Sequence, residues 1–372
     1  MKLTHIFAAA AAAATLTSCD IASFGPETPA PEPPAQFNHL YLLSEGQFGS
    51  NNSALTRISA DTWTVDSDWY LGVNGEPLGD TGNDIAVIGD RIVIAVNGSN
   101  IIEVCDRSTG KSLGSTEAVP GCRRIAPDPT GEYAYVTSYA DDGYVAKLRL
   151  STMALAGKCR TGYEPEGVVY HGGNIFVANT GGNAWDGSHS YETTVSVIDA
   201  ATMTELKRID TGLVNLYGGF VQNDLYPRYI MVNACGDYYA SPAGSCIFDC
   251  ESQSVVAKYD FPATYVATHD GKFYVLGSSF SYATYAYEYT FKTIDMASGT
   301  PVVSDGILNG DFQSSVASMT APYGLAVAPD GEFFVTDAGN YASNGILWRF
   351  SSDGALLGKT TVGVCPGHFA FD

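Results

Sequence analysis

Pro165-Glu166-Gly167-Val168-Val169, Asn174-Ile175-Phe176-Val177-Ala178-Asn179, Thr194-Val195-Ser196-Val197-Ile198-Asp199 and Leu206-Lys207-Arg208-Ile209 follow one another within residues 165–209. Each is a short apolar run, and Gly, Asn and Asp turns separate them. That length and punctuation suit four successive β-strands rather than a helix. The same order returns as Tyr323-Gly324-Leu325-Ala326-Val327-Ala328-Pro329-Asp330-Gly331, Phe333-Phe334-Val335-Thr336-Asp337, Ile346-Leu347-Trp348-Arg349-Phe350 and Ala355-Leu356-Leu357-Gly358. Strands equivalent to the second of each set recur near 40–43, 92–96, 133–136, 175–177, 229–232, 273–276 and 333–335. Seven units sharing the chain beyond residue 36 have about 48 residues each, the size of a four-stranded propeller blade.

The two ends complement each other. The first unit opens directly on a second-type strand, Phe37 to Ser44, and the chain finishes on a surplus first-type strand, Gly367-His368-Phe369-Ala370-Phe371. Docking the last strand into the first blade leaves no open edge at the seam. The expected fold is therefore all-β: a seven-bladed β-propeller with four-stranded blades, closed by the C-terminal strand joining the N-terminal blade. An open solenoid or two sandwiches would leave that deficit and surplus unexplained.

Ahead of the repeats, Met1-Lys2 and the apolar run 6–14 have the form of a secretory signal peptide too short to span a bilayer. Leu16-Thr17-Ser18-Cys19 has the form of a bacterial lipobox, with Cys19 the lipidated residue. Pro26, Pro29, Pro31, Pro33 and Pro34 then form an extended stalk. The organisation expected is 1–18 signal peptide, 19–36 lipidated Cys and Pro-rich stalk, and 37–372 propeller. The expected location is the bacterial outer membrane, with the body anchored by lipid; Asp20 and Glu27 after the lipid Cys resemble the surface-export signals of Bacteroidetes lipoproteins, which implies that it faces the cell exterior.

Composition narrows the function. The chain carries 19 Lys and Arg against 40 Asp and Glu, a formal charge of −21. Such an excess of negative charge opposes nucleic-acid binding, which needs a basic surface. The long loops follow the second strands or enter the first ones, so they share one face of a propeller, where binding is normally placed. That face collects Tyr, Asn and Ser. The candidate ligand-binding residues are Phe48, Asn97, Tyr139, Tyr163, Asn179, Trp185, Tyr217, Asn233, Tyr238, Tyr265, Tyr285, Tyr323, Asp337, Tyr341 and His368. Tyrosine offers a flat apolar face and one hydroxyl at low entropic cost. Catalytic signatures are absent: no Gly-x-Ser-x-Gly elbow, Walker loop or dinucleotide fingerprint occurs, and no His has a metal-ligand partner at short spacing. Glu45 and Glu166 are acidic residues near the channel, compatible with hydrolysis but not specific for it. Cys235 and Cys246 flank one strand connection and form a plausible disulfide, with Cys250 an alternative partner.

Three stretches carry a family resemblance: Leu43-Ser44-Glu45-Gly46-Gln47-Phe48 with Asn52-Ser53-Ala54-Leu55; Tyr323-Gly324-Leu325 through Asp337-Ala338, Tyr341, Gly345-Ile346 and Arg349-Phe350; and Val362-Gly363-Val364-Cys365-Pro366-Gly367-His368-Phe369. With the lipobox and stalk, the chain resembles the YncE-like seven-bladed propeller lipoproteins of Bacteroidetes, and within them most the cobalamin-capturing BtuG type. The resemblance implies a protein that is not an enzyme. It would capture cobalamin or a related corrinoid on the loop face, as cargo rather than cofactor, and hand it to a TonB-dependent outer-membrane transporter. Its rivals are capture of another nutrient (a glycan, haem or siderophore), a propeller hydrolase or lactonase, and a scaffold that contacts only a partner protein.

Overall fold

The structure is a computed structural model that describes residues 37–184, 186–281, 285–309 and 311–372. The signal peptide, the stalk, Cys19 and Trp185 lie outside the described residues. Seven antiparallel sheets of four strands account for the body. From first to fourth strand, blade one is Pro366–Phe371, His39–Ser44, Ala54–Ser59 and Val65–Asp66. Blades two to four begin at Gly82–Ile88, Cys122–Pro127 and Pro165–His171, and blades five to seven at Phe220–Gln222, Tyr265–His269 and Pro322–Val327. These first strands touch one another in an unbroken cycle around the axis, from blade one through blade seven and back. The ring closes as the sequence predicts: Leu40, Tyr41, Leu42 and Leu43 of blade one pair with Phe371, Ala370, Phe369 and His368.

Side-chain alternation explains why each blade needs two neighbours. Along a strand, successive side chains point to opposite faces. In blade one Leu40 and Leu42 pack with Ala326 and Phe334 of blade seven, while Tyr41 and Leu43 pack with Ile92, Ile94 and Val96 of blade two. The same division gives an apolar cluster between every pair of adjacent blades. Second strands are accordingly buried on both faces, whereas the fourth strand Thr204–Asp210 alternates with solvent.

Two helices of six residues, Trp69–Asn74 and Phe312–Ala317, have no counterpart in the sequence reading. They span too few residues to show helical periodicity. Each adds its buried side chains to an apolar cluster between blades, Trp69 and Tyr70 between blades one and two and Phe312 and Val316 between blades six and seven. No helix among the described residues is long and apolar enough to cross a membrane.

The expected Cys235–Cys246 disulfide is absent; both thiols are free, as are the other five described. Register is the reason. Cys246 lies opposite Val232, three residues from Cys235, or about 10 Å along the strand. A disulfide needs Cα atoms within about 7 Å. Cys246 instead fills the apolar cluster between blades four and five together with Cys250, the other partner considered.

Two outcomes follow from this architecture. Ending the chain at Val364 removes the first strand of blade one and should abolish the cooperative unfolding transition seen by circular dichroism. A thiol-reactive probe should label Cys235 in the native protein while the six buried thiols stay protected until denaturant is added, and reductant should leave the melting temperature unchanged.

Candidate functional site

The tops of the first strands position the site. In five blades pairing slips by an extra residue at this point, between Gly82 and Asp84, Cys122 and Ile125, Pro165 and Val168, Pro322 and Gly324, and Pro366 and His368. Such bulges re-aim side chains and are common beside functional sites. Here they bring Asn83, Arg123, Arg124, Glu166, Tyr323 and His368, residues of five different blades, to one network at the channel.

Glu166 is its hub. The side chain is fully buried and forms ion pairs with Arg123 (Nε–Oε2, 2.8 Å) and Arg124 (Nη2–Oε1, 2.9 Å). The Tyr139 hydroxyl donates to Glu166 Oε2 at 2.7 Å. Burial alone would raise the carboxyl pKa, but the two guanidinium charges and these hydrogen bonds outweigh it and hold the pKa at about 2. Tyr139 responds oppositely: burial and then the Glu166 charge push its phenol well above the ordinary range.

Arg124 continues the chain toward the seam. Its Nη1 donates to the Asn83 carbonyl at 2.5 Å and contacts His368 Nδ1 at 3.1 Å. A guanidinium only donates, so Nδ1 carries the lone pair and Nε2 the proton. Nε2 accordingly donates to Glu45 Oε1 at 2.9 Å, and the Tyr323 hydroxyl donates to Glu45 Oε2 at 2.9 Å. Burial tends to raise the Glu45 pKa, but the hydrogen bonds from His368 and Tyr323 and the charge of Arg124 bring it below the ordinary value.

Glu45, Arg124, Tyr323 and His368 of this network themselves line a cavity of about 480 Å³. Six of the residues expected to bind ligand line it: Tyr217, Asn233, Tyr238, Tyr265, Tyr323 and His368. Tyr139 lies beside it, bonded to Glu166. Phe48 and Tyr285 stand exposed on the loops, at 83% and 80%, and do not line the cavity, whereas Tyr341 packs edge-on against the wall residue Tyr323, ring centroids 5.8 Å apart. Tyr163 stacks on His189, ring centroids 4.2 Å apart.

The strand-ending amides and carboxylate serve the frame. Asn97 donates to the Cys122 carbonyl. Asn179 accepts from Gly162 N and donates to Thr194 and Ser196 hydroxyls. Asp337 accepts from the amides of Thr320, Ala321 and Gly339. Asn233, although at the cavity, has both polar atoms engaged by Tyr217 O and Ala263 N. Backbone groups left over where strands end need such partners, so these polar side chains close the loops rather than await a ligand.

Arg123 and Arg124 are the residues that sequence reasoning missed. The loop face was read from its Tyr, Asn and Ser, and two adjacent Arg have no motif of their own. Their signal is positional: Arg123 stands two residues before Ile125, as Glu166 stands before Val168 and Tyr323 before Leu325, and Arg124 takes the place of Gly167 and Gly324. Among the described residues, no three His, Cys, Asp or Glu side chains are grouped to hold a metal ion.

Replacing Glu166 by Gln leaves two partly buried guanidinium groups without their counter-charge, and should cost about 3 kcal/mol of stability in denaturant titrations. The sign of the acid dependence is fixed by the lowered pKa. The Glu166 contribution is complete above about 4.5, the unfolded value, and disappears as pH falls toward about 2. The wild-type protein should therefore lose stability across that window more steeply than Glu166→Gln.

No protein-family model matches the chain, and no curated protein matches it in sequence. Among solved structures, Kuenenia stuttgartiensis hydrazine synthase superposes with a TM-score of 0.60 at 14% identity, over 77% of this chain and 88% of that one. Dihydro-heme d1 dehydrogenase NirN in complex with DHE superposes with a TM-score of 0.52 at 12% identity, over 92% of this chain and 77% of that one. BamB from Moraxella catarrhalis gives a TM-score of 0.49 at 10% identity, over 76% and 89%. At these identities the first two likenesses speak for fold alone, and they agree with the strand pairing: the chain is a seven-bladed β-propeller of four-stranded blades.

Proposed function

We propose that this propeller is a capture protein that binds cobalamin or a related corrinoid over its loop face and leaves it chemically unchanged. In this reading the body is held at the outer membrane by a lipid on Cys19. It passes its cargo to a TonB-dependent transporter. The observation that supports it best is the cavity at the centre of one face, walled by Tyr217, Tyr238, Tyr265 and Tyr323. A corrin ring edged with amides is broader than this cavity. It would lie across the mouth, with aromatic surface against its plane and a substituent reaching inward. A rigid seven-blade ring lowers the ordering cost of such contacts. The polar network suits support rather than chemistry: both nitrogens of His368 are engaged, and Glu166 is sealed from solvent.

A second reading rests on a specific observation, the run of carboxylate, imidazole, guanidinium and carboxylate from Glu45 to Glu166 inside the channel. A hydrolase or lactonase would place its acid and base there. Turnover of lactone substrates by the wild type, lost in His368→Gln, would favour it over capture.

Calorimetric titration with cyanocobalamin decides the first reading. Saturable binding at micromolar concentration or tighter is expected, weakened about tenfold, or about 1.4 kcal/mol, by Tyr265→Ala. No heat and no change in the visible spectrum at those concentrations would sink it.

A further inference from the structure

The cavity wall has an uneven charge. On it Glu45 and Asp84 face the single guanidinium of Arg124, while Arg123 and the buried Glu166 pair behind it, so one negative charge is left over. Asp84 accepts from the amides of Ile85 and Ile125. Arg124 reaches the cavity, yet each of its three guanidinium nitrogens is already bonded: Nε and Nη2 to Glu166, and Nη1 to Asn83 O and His368. Arg123 is similarly held by Glu166 and Asn83. An incoming anion would have to break these bonds and face the surplus carboxylate.

The rest of the wall favours the opposite sign. Tyr217, Tyr265 and Tyr323 come from blades five, six and seven and line the same cavity as Glu45, with the Tyr323 hydroxyl donating to Glu45 Oε2 at 2.9 Å. Aromatic faces carry negative potential and attract ammonium groups, more strongly where water is scarce. A cavity of about 480 Å³ admits a small organic cation.

We propose that the central cavity is a binding site for a small organic cation, an aliphatic ammonium group seated against the Glu45 carboxylate among the rings of Tyr217, Tyr265 and Tyr323. The site lies below the mouth and does not rest on the corrinoid reading.

The test is calorimetric titration of the full chain at low salt with tetramethylammonium and n-butylammonium chloride, and separately with sodium acetate and inorganic phosphate. Saturable binding of at least one ammonium ion is expected, weakened several-fold by added salt and about tenfold by Glu45→Gln. Because Glu45→Gln also disturbs His368 and Tyr323, a second pair of variants separates charge from shape. Tyr265→Phe keeps the ring and should bind ammonium like wild type, whereas Tyr265→Ala should bind several-fold more weakly. Binding of acetate or phosphate in place of ammonium, absence of saturable ammonium binding, or equal affinity in Tyr265→Phe and Tyr265→Ala would overturn the assignment. Cyanocobalamin titrated into the same preparations keeps the two readings apart. Corrinoid binding without ammonium binding sinks only this one, and ammonium binding without corrinoid binding sinks only the other.

Discussion

Everything in this molecule depends on a blade having no exposed face of its own. The inner strands carry apolar side chains alternately to left and right, so a single blade would present two greasy surfaces to water. Leu40 and Leu42 need blade seven, and Tyr41 and Leu43 need blade two. An open row of such blades always leaves two faces unsatisfied, and only a cycle satisfies all of them. The pairing of the last strand with the first blade is what turns the row into a cycle. It is reinforced at the seam, where Asp372 accepts hydrogen bonds from the His39 amide and the Tyr41 hydroxyl.

The site is a product of the same cycle. Bulges at the tops of the first strands release polar side chains from the sheets just where seven strands converge. Converging charges at low exposure would repel or remain unsolvated if they were alone. They are instead interleaved: carboxylate, imidazole, guanidinium and carboxylate follow one another from Glu45 to Glu166, each held by the next. This arrangement fixes the electrostatic character of the cavity before any ligand arrives, and it uses side chains from blades distant in sequence. Rigidity of the frame and fixed polarity of the cavity share one cause.

Much of the fold was legible in the sequence because blades repeat. The strand near 175–177 and the strand near 333–335 were found by the same pattern, and the structure has Asn174–Asn179 and Phe333–Asp337 there. The site was legible only in outline. Tyr217, Tyr265, Tyr323 and His368 could be placed at the cavity because their positions in the repeat set which face they occupy. Asn97, Asn179 and Asp337 share that position, yet they bond to backbone at loop closures. Polarity at a strand end does not by itself distinguish a ligand contact from a cap. Arg123 and Arg124 were hidden for another reason: their significance is a relation to Glu166 across some 40 residues, and no local pattern encodes it. The disulfide failed on register, which depends on turn length and pairing rather than on Cys spacing.

His368 lies on Pro366–Phe371, the strand that completes blade one. Seam and polar network therefore share a single element: without this strand Glu45 has no imidazole to bond and Arg124 lacks one of its partners. A lesion that merely loosened the seam would be felt at the cavity wall as well, so mechanical closure and site geometry stand or fall together.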